Sequence, residues 1–134
     1  MRFLFCMLFF VSISCQNQIS ESFIGTWRKD SSTNGPTTRL SKPYVSGTLI
    51  FGKDSIYSYS WIADDVLGDD RGRYFIIASG NGLKILRLEK APGYYSDYII
   101  LEKTNHRFKV KSRHSYNVSD STIYFDMVDV YKKN

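Results

Sequence analysis

The residues in this sequence best suited to chemistry are a group of carboxylates near its middle. Asp64, Asp65, Asp69 and Asp70 surround the short apolar run Val66-Leu67-Gly68. Four carboxylates can hold Ca²⁺ through their oxygens, but this spacing does not match the ligand positions of an EF-hand loop. We therefore favour an acidic, solvated loop over a cation site.

Other catalytic signals are weak. His106 and His114 fall at opposite ends of one predicted strand, so they are poor partners for a shared metal or a proton relay. The sequence has no Gly-x-Ser-x-Gly motif, no metal-spaced histidine cluster and no phosphate-binding glycine loop. We expect no enzymatic activity, no metal site and no cofactor.

The N-terminus has the pattern of an export signal. Arg2 precedes an apolar run over residues 3–11, and Ser12-Ile13-Ser14 places small residues before a cleavage point. The apolar run is shorter than the roughly 20 residues that span a bilayer. We predict a signal peptide over residues 1–14.

The two cysteines bear on the fate of the exported chain. Cys6 lies within the apolar run, so Cys15 would be the single cysteine left after cleavage. Ile13-Ser14-Cys15 resembles a bacterial lipobox, although Ser12 stands where that motif usually has Leu. The resemblance implies a lipid on Cys15; the alternative is plain secretion with a free cysteine. Gln16 stands in place of an Asp that retains some lipoproteins in the inner membrane, which implies the outer membrane.

A polar tether connects this cysteine to the rest of the chain. With Cys15 it covers residues 15–22, and the seven residues after the cysteine reach roughly 25 Å when extended. We therefore expect the domain over residues 23–134 to stay close to the membrane of the cell envelope.

The composition indicates one folded domain. The chain has 134 residues, of which 43% are hydrophobic and 16% aromatic, enough for a modest core. The net charge of +5 is spread along the chain, with no basic run longer than Lys132-Lys133. We expect a monomer that does not bind nucleic acid.

Eight stretches have the composition and flanking turns of β-strands. Gly52-Lys53-Asp54 and Gly80-Asn81-Gly82 are strong hairpin signals between them. The predicted strands cover residues 23–29, 46–51, 55–61, 72–79, 83–88, 97–104, 107–114 and 122–131. The sequence therefore predicts an all-β fold.

The connections between these strands alternate in length. Three are tight, and four are long: residues 30–45, 62–71, 89–96 and 115–121. In an up-and-down antiparallel arrangement, successive connections lie at opposite ends. We therefore expect all the long loops to surround one end, the mouth.

The side-chain pattern favours closure into a barrel. Ser58 and Ser60 alternate with Tyr57, Tyr59 and Trp61, which points the three aromatic side chains inward. Eight antiparallel strands in an open sheet would leave two exposed edges, and a closed barrel removes them. We predict an eight-stranded up-and-down barrel, wide enough to be filled by side chains or to hold one small ligand.

The first strand carries a motif that fits this architecture. Gly25-Thr26-Trp27, a long first loop and eight meandering strands resemble the lipocalin pattern over residues 23–131. In that family the Gly-x-Trp motif closes the bottom of the barrel and the first loop acts as a lid. The resemblance implies that Gly25 and Trp27 close this barrel.

The resemblance implies a small hydrophobic ligand inside the barrel. Tyr57, Tyr59 and Trp61 are the predicted pocket wall, and the alternative is that they are ordinary core. Ile76 and Ile100 are their predicted apolar companions. The leading hypothesis is thus a lipid-anchored, lipocalin-like carrier.

A second hypothesis assigns the function to the mouth loops. Tyr94 and Tyr95 are predicted to lie on one of these loops, as a gate, a partner contact or rings folded onto the rim. In this hypothesis the barrel is a scaffold whose loops bind another protein, either an envelope partner or an enzyme that it inhibits.

Overall fold

A computed structural model of the chain describes residues 23–33, 46–63 and 65–134. The predicted signal peptide, Cys15, the tether, most of the first long connection and Asp64 lie outside the described residues. Within the described part, there is no helix long and apolar enough to cross a membrane.

The described residues form a closed, eight-stranded antiparallel barrel, as predicted. Each strand pairs with the next, and the last pairs with the first. The strands are β1 (Gly25–Thr33), β2 (Ser46–Phe51), β3 (Ile56–Ala63), β4 (Val66–Ala78), β5 (Lys84–Ala91), β6 (Tyr94–Lys103), β7 (Arg107–Val118) and β8 (Ser121–Lys133). Closure leaves no free sheet edge around the cylinder.

One end of the barrel, here called the base, carries the three tight turns that the sequence predicted. They cover residues 52–55, 79–83 and 104–106, and β1 also starts at this end. Gly82 has φ of 73°, a left-handed conformation that glycine adopts without strain. The bounds of β2 match the prediction.

At the opposite end, the mouth, three of the four predicted long loops are wrong. β4 starts at Val66, β6 at Tyr94 and β8 at Ser121, so these connections are much shorter than predicted, with turns at Asp65 and at residues 92–93 and 119–120. Asp65, Gly93 and Ser119 have positive φ in these turns. The polar and glycine residues of these segments are typical of loops in sequence. They lie in strands because pairing within each hairpin holds them there, and β-propensity depends on context.

The extra strand length projects toward the mouth. The β6–β7 ladder runs from Lys103↔Phe108 only as far as Ile99↔Lys111, whereas β7 and β8 pair all the way to Val118↔Ser121. Likewise, the β4–β5 ladder reaches Arg73↔Glu89. The three described connections at the mouth are therefore hairpin turns instead of open loops.

Aromatic side chains fill the base. Phe108 is fully buried, with its ring centroid 4.9 Å from that of Trp27 and 4.6 Å from that of Tyr131. Phe23 and Phe51 pack edge-on nearby, with centroids 5.6 Å apart. Each fully buried ring contributes about 1.5–3 kcal/mol. This cluster is the main hydrophobic core.

The side chain of Trp27 is held by one hydrogen bond and by contacts with two lysines. Its Nε1 donates a hydrogen bond of 2.6 Å to the carbonyl of Phe23. The ammonium groups of Lys103 and Lys133 lie 4.7 and 5.4 Å from its ring centroid, a cation–π arrangement. Burial, reinforced by the charge of Lys133, lowers the pKa of Lys103. Trp27 is completely buried, and the barrel-closing role of Gly25 and Trp27 stays a prediction.

Candidate functional site

A cavity lies in the barrel interior above the aromatic base. Its wall comprises Leu49, Tyr59, Leu86, Leu88, Tyr98, Phe108, Val110 and Tyr131. The volume of this cavity is about 20 Å³, enough for about one water molecule.

Strand register brings these side chains together. Leu49 pairs directly with Tyr59 across β2 and β3, and Leu86 pairs with Tyr98 across β5 and β6. Side chains alternate between the two faces of a strand, so directly opposed residues share the inward face. The lining therefore comes from six of the eight strands, those other than β1 and β4.

Three tyrosine hydroxyls give the apolar cavity its polar groups. Tyr131 and Tyr59 are hydrogen-bonded to each other, and burial raises the pKa of Tyr131 well above its usual value. Burial, followed by the charge of Asp129, also raises the pKa of Tyr98. The hydroxyls of Tyr131 and Tyr98 therefore stay protonated at neutral pH, and all three hydroxyls can donate or accept hydrogen bonds.

A buried ion pair lies on the interior face near these tyrosines. Nζ of Lys29 is 3.0 Å from Oδ1 of Asp129, and their side chains are only 3% and 8% exposed. Ser32 donates a 2.6 Å hydrogen bond to the same carboxylate oxygen. Hydrogen bonding of this kind offsets part of the cost of burying two charges.

A β-bulge makes this arrangement possible. Lys29 pairs with Tyr131 and Ser31 with Val130, so Asp30 is the extra residue in β1. The bulge shifts the alternation, and Lys29 and Ser32, three residues apart, both face inward toward Asp129.

A second ion pair lies nearer the mouth. Oδ1 of Asp70 is 2.9 Å from Nζ of Lys90, and both side chains are partly exposed. Asp70 is paired with Tyr59 across β3 and β4. Burial, followed by the charges of Asp70 and Tyr98, raises the pKa of Tyr57 to about 12.

The predicted pocket residues lie at different depths. Tyr59 lines the cavity. Tyr57 is 1% exposed within the core, and Ile76 and Ile100 pack against that core. The Trp61 ring lies against Gly68, where an added Cβ would be 2.1 Å from Cζ2 of the indole. The structure thus spreads these residues from the base toward the mouth, and their roles in ligand binding remain predictions.

Tyr94 and Tyr95 lie in strand β6, so their predicted location on a loop is wrong. Consecutive strand residues face opposite sides. The ring of Tyr95 is stacked 3.7 Å from the guanidinium of Arg87, which also forms two hydrogen bonds with Asp97. Tyr94 is 68% exposed at the mouth. The two rings therefore point to opposite sides of the strand, and their role as a gate or a partner contact stays a prediction.

The other candidate chemical groups are dispersed. Asp69 and Asp70 are neighbours in β4 and face opposite sides of the sheet. Nε2 of His114 is 2.8 Å from Oγ of Ser112, and His106 lies in a base turn. Within the described ranges, no three or more His, Cys, Asp or Glu side chains are placed to hold a metal ion.

Sequence reasoning missed the Lys29–Asp129 pair, although one signal was present. Lys29 lies two residues after Trp27, so period two alone places this charged side chain on the buried face. A buried lysine needs a partner. The partner could not be identified, because the register between β1 and β8 depends on the bulge.

Comparison with known proteins identifies the fold. No protein-family model matches the chain, and no curated protein sequence matches it. Among solved structures, lobster apocrustacyanin A1 is similar with a TM-score of 0.50 and 16% identity, covering 90% of this chain and 66% of that one. Apocrustacyanin C2 has a TM-score of 0.51 and 17% identity, with the same coverage of 90% and 66%.

Both neighbours are lipocalins, so the architecture of this barrel is lipocalin-like, as the sequence predicted. The chain spans about two thirds of the length of these neighbours.

Proposed function

We propose that this lipocalin-like barrel binds a small, uncharged and mainly hydrophobic molecule in its interior, at the mouth side of the aromatic base. The proposal is carried by the wall of the cavity. Five of its side chains are apolar and three are tyrosines, which suits a ligand with an apolar body and one hydrogen-bonding group.

The size of the cavity limits the ligand. The cavity of about 20 Å³ is far below the roughly 300–1,000 Å³ of known ligand pockets, so an organic molecule can enter only if side chains move. Tyr59 and Tyr98 are the wall residues that are only partly buried, so their movement costs less than displacing Phe108. We therefore expect a small ligand that displaces these two tyrosine rings.

The charges inside the barrel favour a neutral ligand. Lys29 is neutralised by Asp129, and Asp70 by Lys90. A charged ligand would bring an uncompensated charge into a largely dehydrated space, which is costly. The tyrosine hydroxyls can instead satisfy an alcohol or a carbonyl group.

The ligand proposal can be tested with three probes of equal chain length: 1-octanol, octanoate and octylammonium. The eight strands close on one another within residues 25–133, so the chain from Gln16 to Asn134 contains the whole barrel. In calorimetric titrations at neutral pH, we expect octanol to bind and each ion to bind at least about tenfold more weakly.

A cavity-filling variant makes this test specific. Val110→Phe adds a ring where the cavity lies, and we expect it to abolish octanol binding. Ile50→Phe, on the exposed outer face, is the matched control and should bind normally. Absence of heat with all three probes, or equal binding by Val110→Phe, would contradict the proposal.

We also propose that Cys15 carries a lipid that holds the barrel at the cell envelope, on the outer membrane. The lipobox-like residues before Cys15 support this. Expression in a bacterial host should give a membrane-bound protein whose N-terminal peptide has the added mass of a lipid. The Cys15→Ser variant should appear in the soluble fraction. Equal fractionation of both proteins would count against lipidation.

A second candidate function, a scaffold that binds an envelope protein, is favoured by the hairpin ends at the mouth. Leu67 is 75% exposed and Tyr94 is 68% exposed. Cross-linking in intact envelopes, with comparison of wild type and Tyr94→Ala/Tyr95→Ala, tests this function. An unchanged set of cross-linked proteins would argue against it, whatever the outcome for octanol.

A further inference from the structure

The outer face of strands β4 to β6 carries a continuous group of large apolar side chains. Ile77 pairs with Ile85, and Ile85 pairs with Ile99, so the three isoleucines form one row across the sheet. Their inward neighbours Ile76 and Leu86 belong to the interior, which places this row outside. We call the outer apolar patch the set Phe75, Ile77, Leu83, Ile85, Ile99 and Leu101.

The patch is accessible. Leu83 and Leu101 are 45% and 46% exposed, and the other members are half-buried by their neighbours. On the outer face of β2 and β3 the exposed Ile50 and Ile62 are instead separated by the polar pairs that include Ser58 and Ser60, and β1 presents Arg28. A contiguous apolar surface of this kind on a small barrel marks an interaction site.

Basic side chains border the patch. Lys111 lies directly beside Ile99 across the β6–β7 ladder. On the other side, the guanidinium of Arg73 lies 5.0 Å from the ring centroid of Phe75. On the outward face of β7, four successive alternate residues are basic, and Ser115 and Asn117 follow them toward the mouth; the basic residues are Arg107, Lys109, Lys111 and Arg113.

Acidic groups compensate only part of this charge. Glu102 is paired with Lys109 in the ladder, and Asp126 lies 3.6 Å from Lys111, an exposed ion pair. Asp97 is held by Arg87. The four basic residues of β7 therefore retain a positive field along one edge of the patch.

We propose that the outer apolar patch and its basic border dock the side of the barrel onto the surface of an anionic lipid bilayer. Apolar side chains would enter the boundary between headgroups and acyl chains, and the lysines and arginines would lie among the anionic headgroups. Each basic residue near such a surface adds to the electrostatic attraction.

The charge pattern selects this occupant over a second copy of the chain. A symmetric dimer through the patch would bring the two basic edges, each including Lys109 and Lys111, into one interface. Like charges brought together in this way oppose association. An anionic bilayer instead complements both the apolar and the basic parts. This inference depends neither on the cavity ligand nor on a lipid at Cys15.

Vesicle flotation with the unlipidated chain, Gln16 to Asn134, tests the inference. The probes are phosphatidylcholine vesicles with and without phosphatidylglycerol. We expect binding to the anionic vesicles, weakened roughly tenfold or more by Ile85→Thr/Ile99→Thr because two large apolar side chains are lost. Ile50→Thr/Ile62→Thr is the matched control, since these isoleucines are 44% and 51% exposed on β2 and β3.

A second variant isolates the charge. Lys109→Gln/Lys111→Gln leaves the apolar residues intact and should remove most of the preference for anionic vesicles; it also keeps the test valid if the isoleucine variant does not fold. The inference is overturned if wild type binds neither vesicle, if the Ile50/Ile62 control loses as much binding as the patch variant, or if light scattering shows a dimer that the patch variant dissociates.

Discussion

The base and the mouth half of this barrel are built from different interactions. At the base, Phe23, Trp27, Phe51 and Phe108 pack ring against ring. The polar groups beside them are the two covering lysines and the hydroxyl of Tyr74, which donates a hydrogen bond to the carbonyl of Gly52. Toward the mouth, the interior holds an ion pair, tyrosine hydroxyls and a cavity. The difference indicates that stability resides mainly in the base, which leaves the mouth half able to change shape.

The strand ladders show the same division. Around the base, all eight strands are linked to both neighbours, whereas β6 and β7 separate above Ile99↔Lys111. Local opening of a structure costs less where fewer backbone hydrogen bonds and apolar contacts must be broken. We expect hydrogen exchange to be faster in the mouth-end parts of these two strands than near the base.

The largest expected effect comes from removing one aromatic ring from each half of the barrel and comparing the losses in the free energy of unfolding. Phe108→Ala should lower the free energy of unfolding by about 4 kcal/mol, because the side chain is fully buried among other rings. Phe125→Ala, which removes a partly buried ring stacked on His114, should cost about 1 kcal/mol. Urea denaturation measures both, and equal losses would mean that the mouth half contributes as much stability as the base.

The buried ion pair provides the next test. Lys29→Met alone should cost about 3 kcal/mol, because it leaves the Asp129 carboxylate buried without its cation. Lys29→Met/Asp129→Leu should recover most of that loss, since no charge then remains uncompensated. If the double variant is less stable than the single variant in thermal or urea unfolding, the pair itself holds the mouth half together.

A smaller effect is expected where Trp61 lies against Gly68. Gly68→Ala would place a Cβ within 2.1 Å of the indole and force it to move, at a cost of roughly 1–2 kcal/mol. The displaced indole should become more exposed, with red-shifted emission. Gly80→Ala is the control, because no atom lies within 4 Å of a Cβ built there. Unchanged emission in Gly68→Ala would show that the ring is already mobile.

The smallest effect concerns pH. The pKa of Tyr57 is raised from 10.0 to about 12. The contribution of its protonated hydroxyl to the free energy of unfolding is therefore constant below pH 10 and is lost as the pH rises toward 12. Between pH 10 and 11, wild type should lose about 1 kcal/mol more stability than Tyr57→Phe. Parallel urea titrations at both pH values measure this difference. Identical losses would show that the Tyr57 hydroxyl is not buried in solution.

The fold could be predicted from sequence because its signals are local. Alternation in residues 55–61 and the glycine-containing turns at 52–54 and 80–82 indicate strands and hairpins without knowledge of distant contacts. The Gly25-Thr26-Trp27 motif then indicated where the barrel begins. The bounds at the base were accordingly close to those observed.

The mouth could not be predicted in the same way. Asp69, Asp70 and Pro92-Gly93 have low β-propensity, yet the flanking residues extend β4, β5 and β6 through hairpin pairing. The positions of Lys29 and Asp129 depend on a register between the first and last strands, and no local pattern specifies it. The Lys29–Asp129 ion pair could therefore be identified only from the structure.

The extra residue at Asp30 has a further consequence for the first strand. It divides β1 into two segments whose side chains alternate independently of each other. Packing in the aromatic core fixes the first segment, and the second sets the direction of the strand up to Thr33. Deletion of this one residue would turn the side chains of residues 31–33 to the opposite face of the strand while leaving Trp27 in place. The bulge thus separates the placement of residues 31–33 from that of the aromatic core.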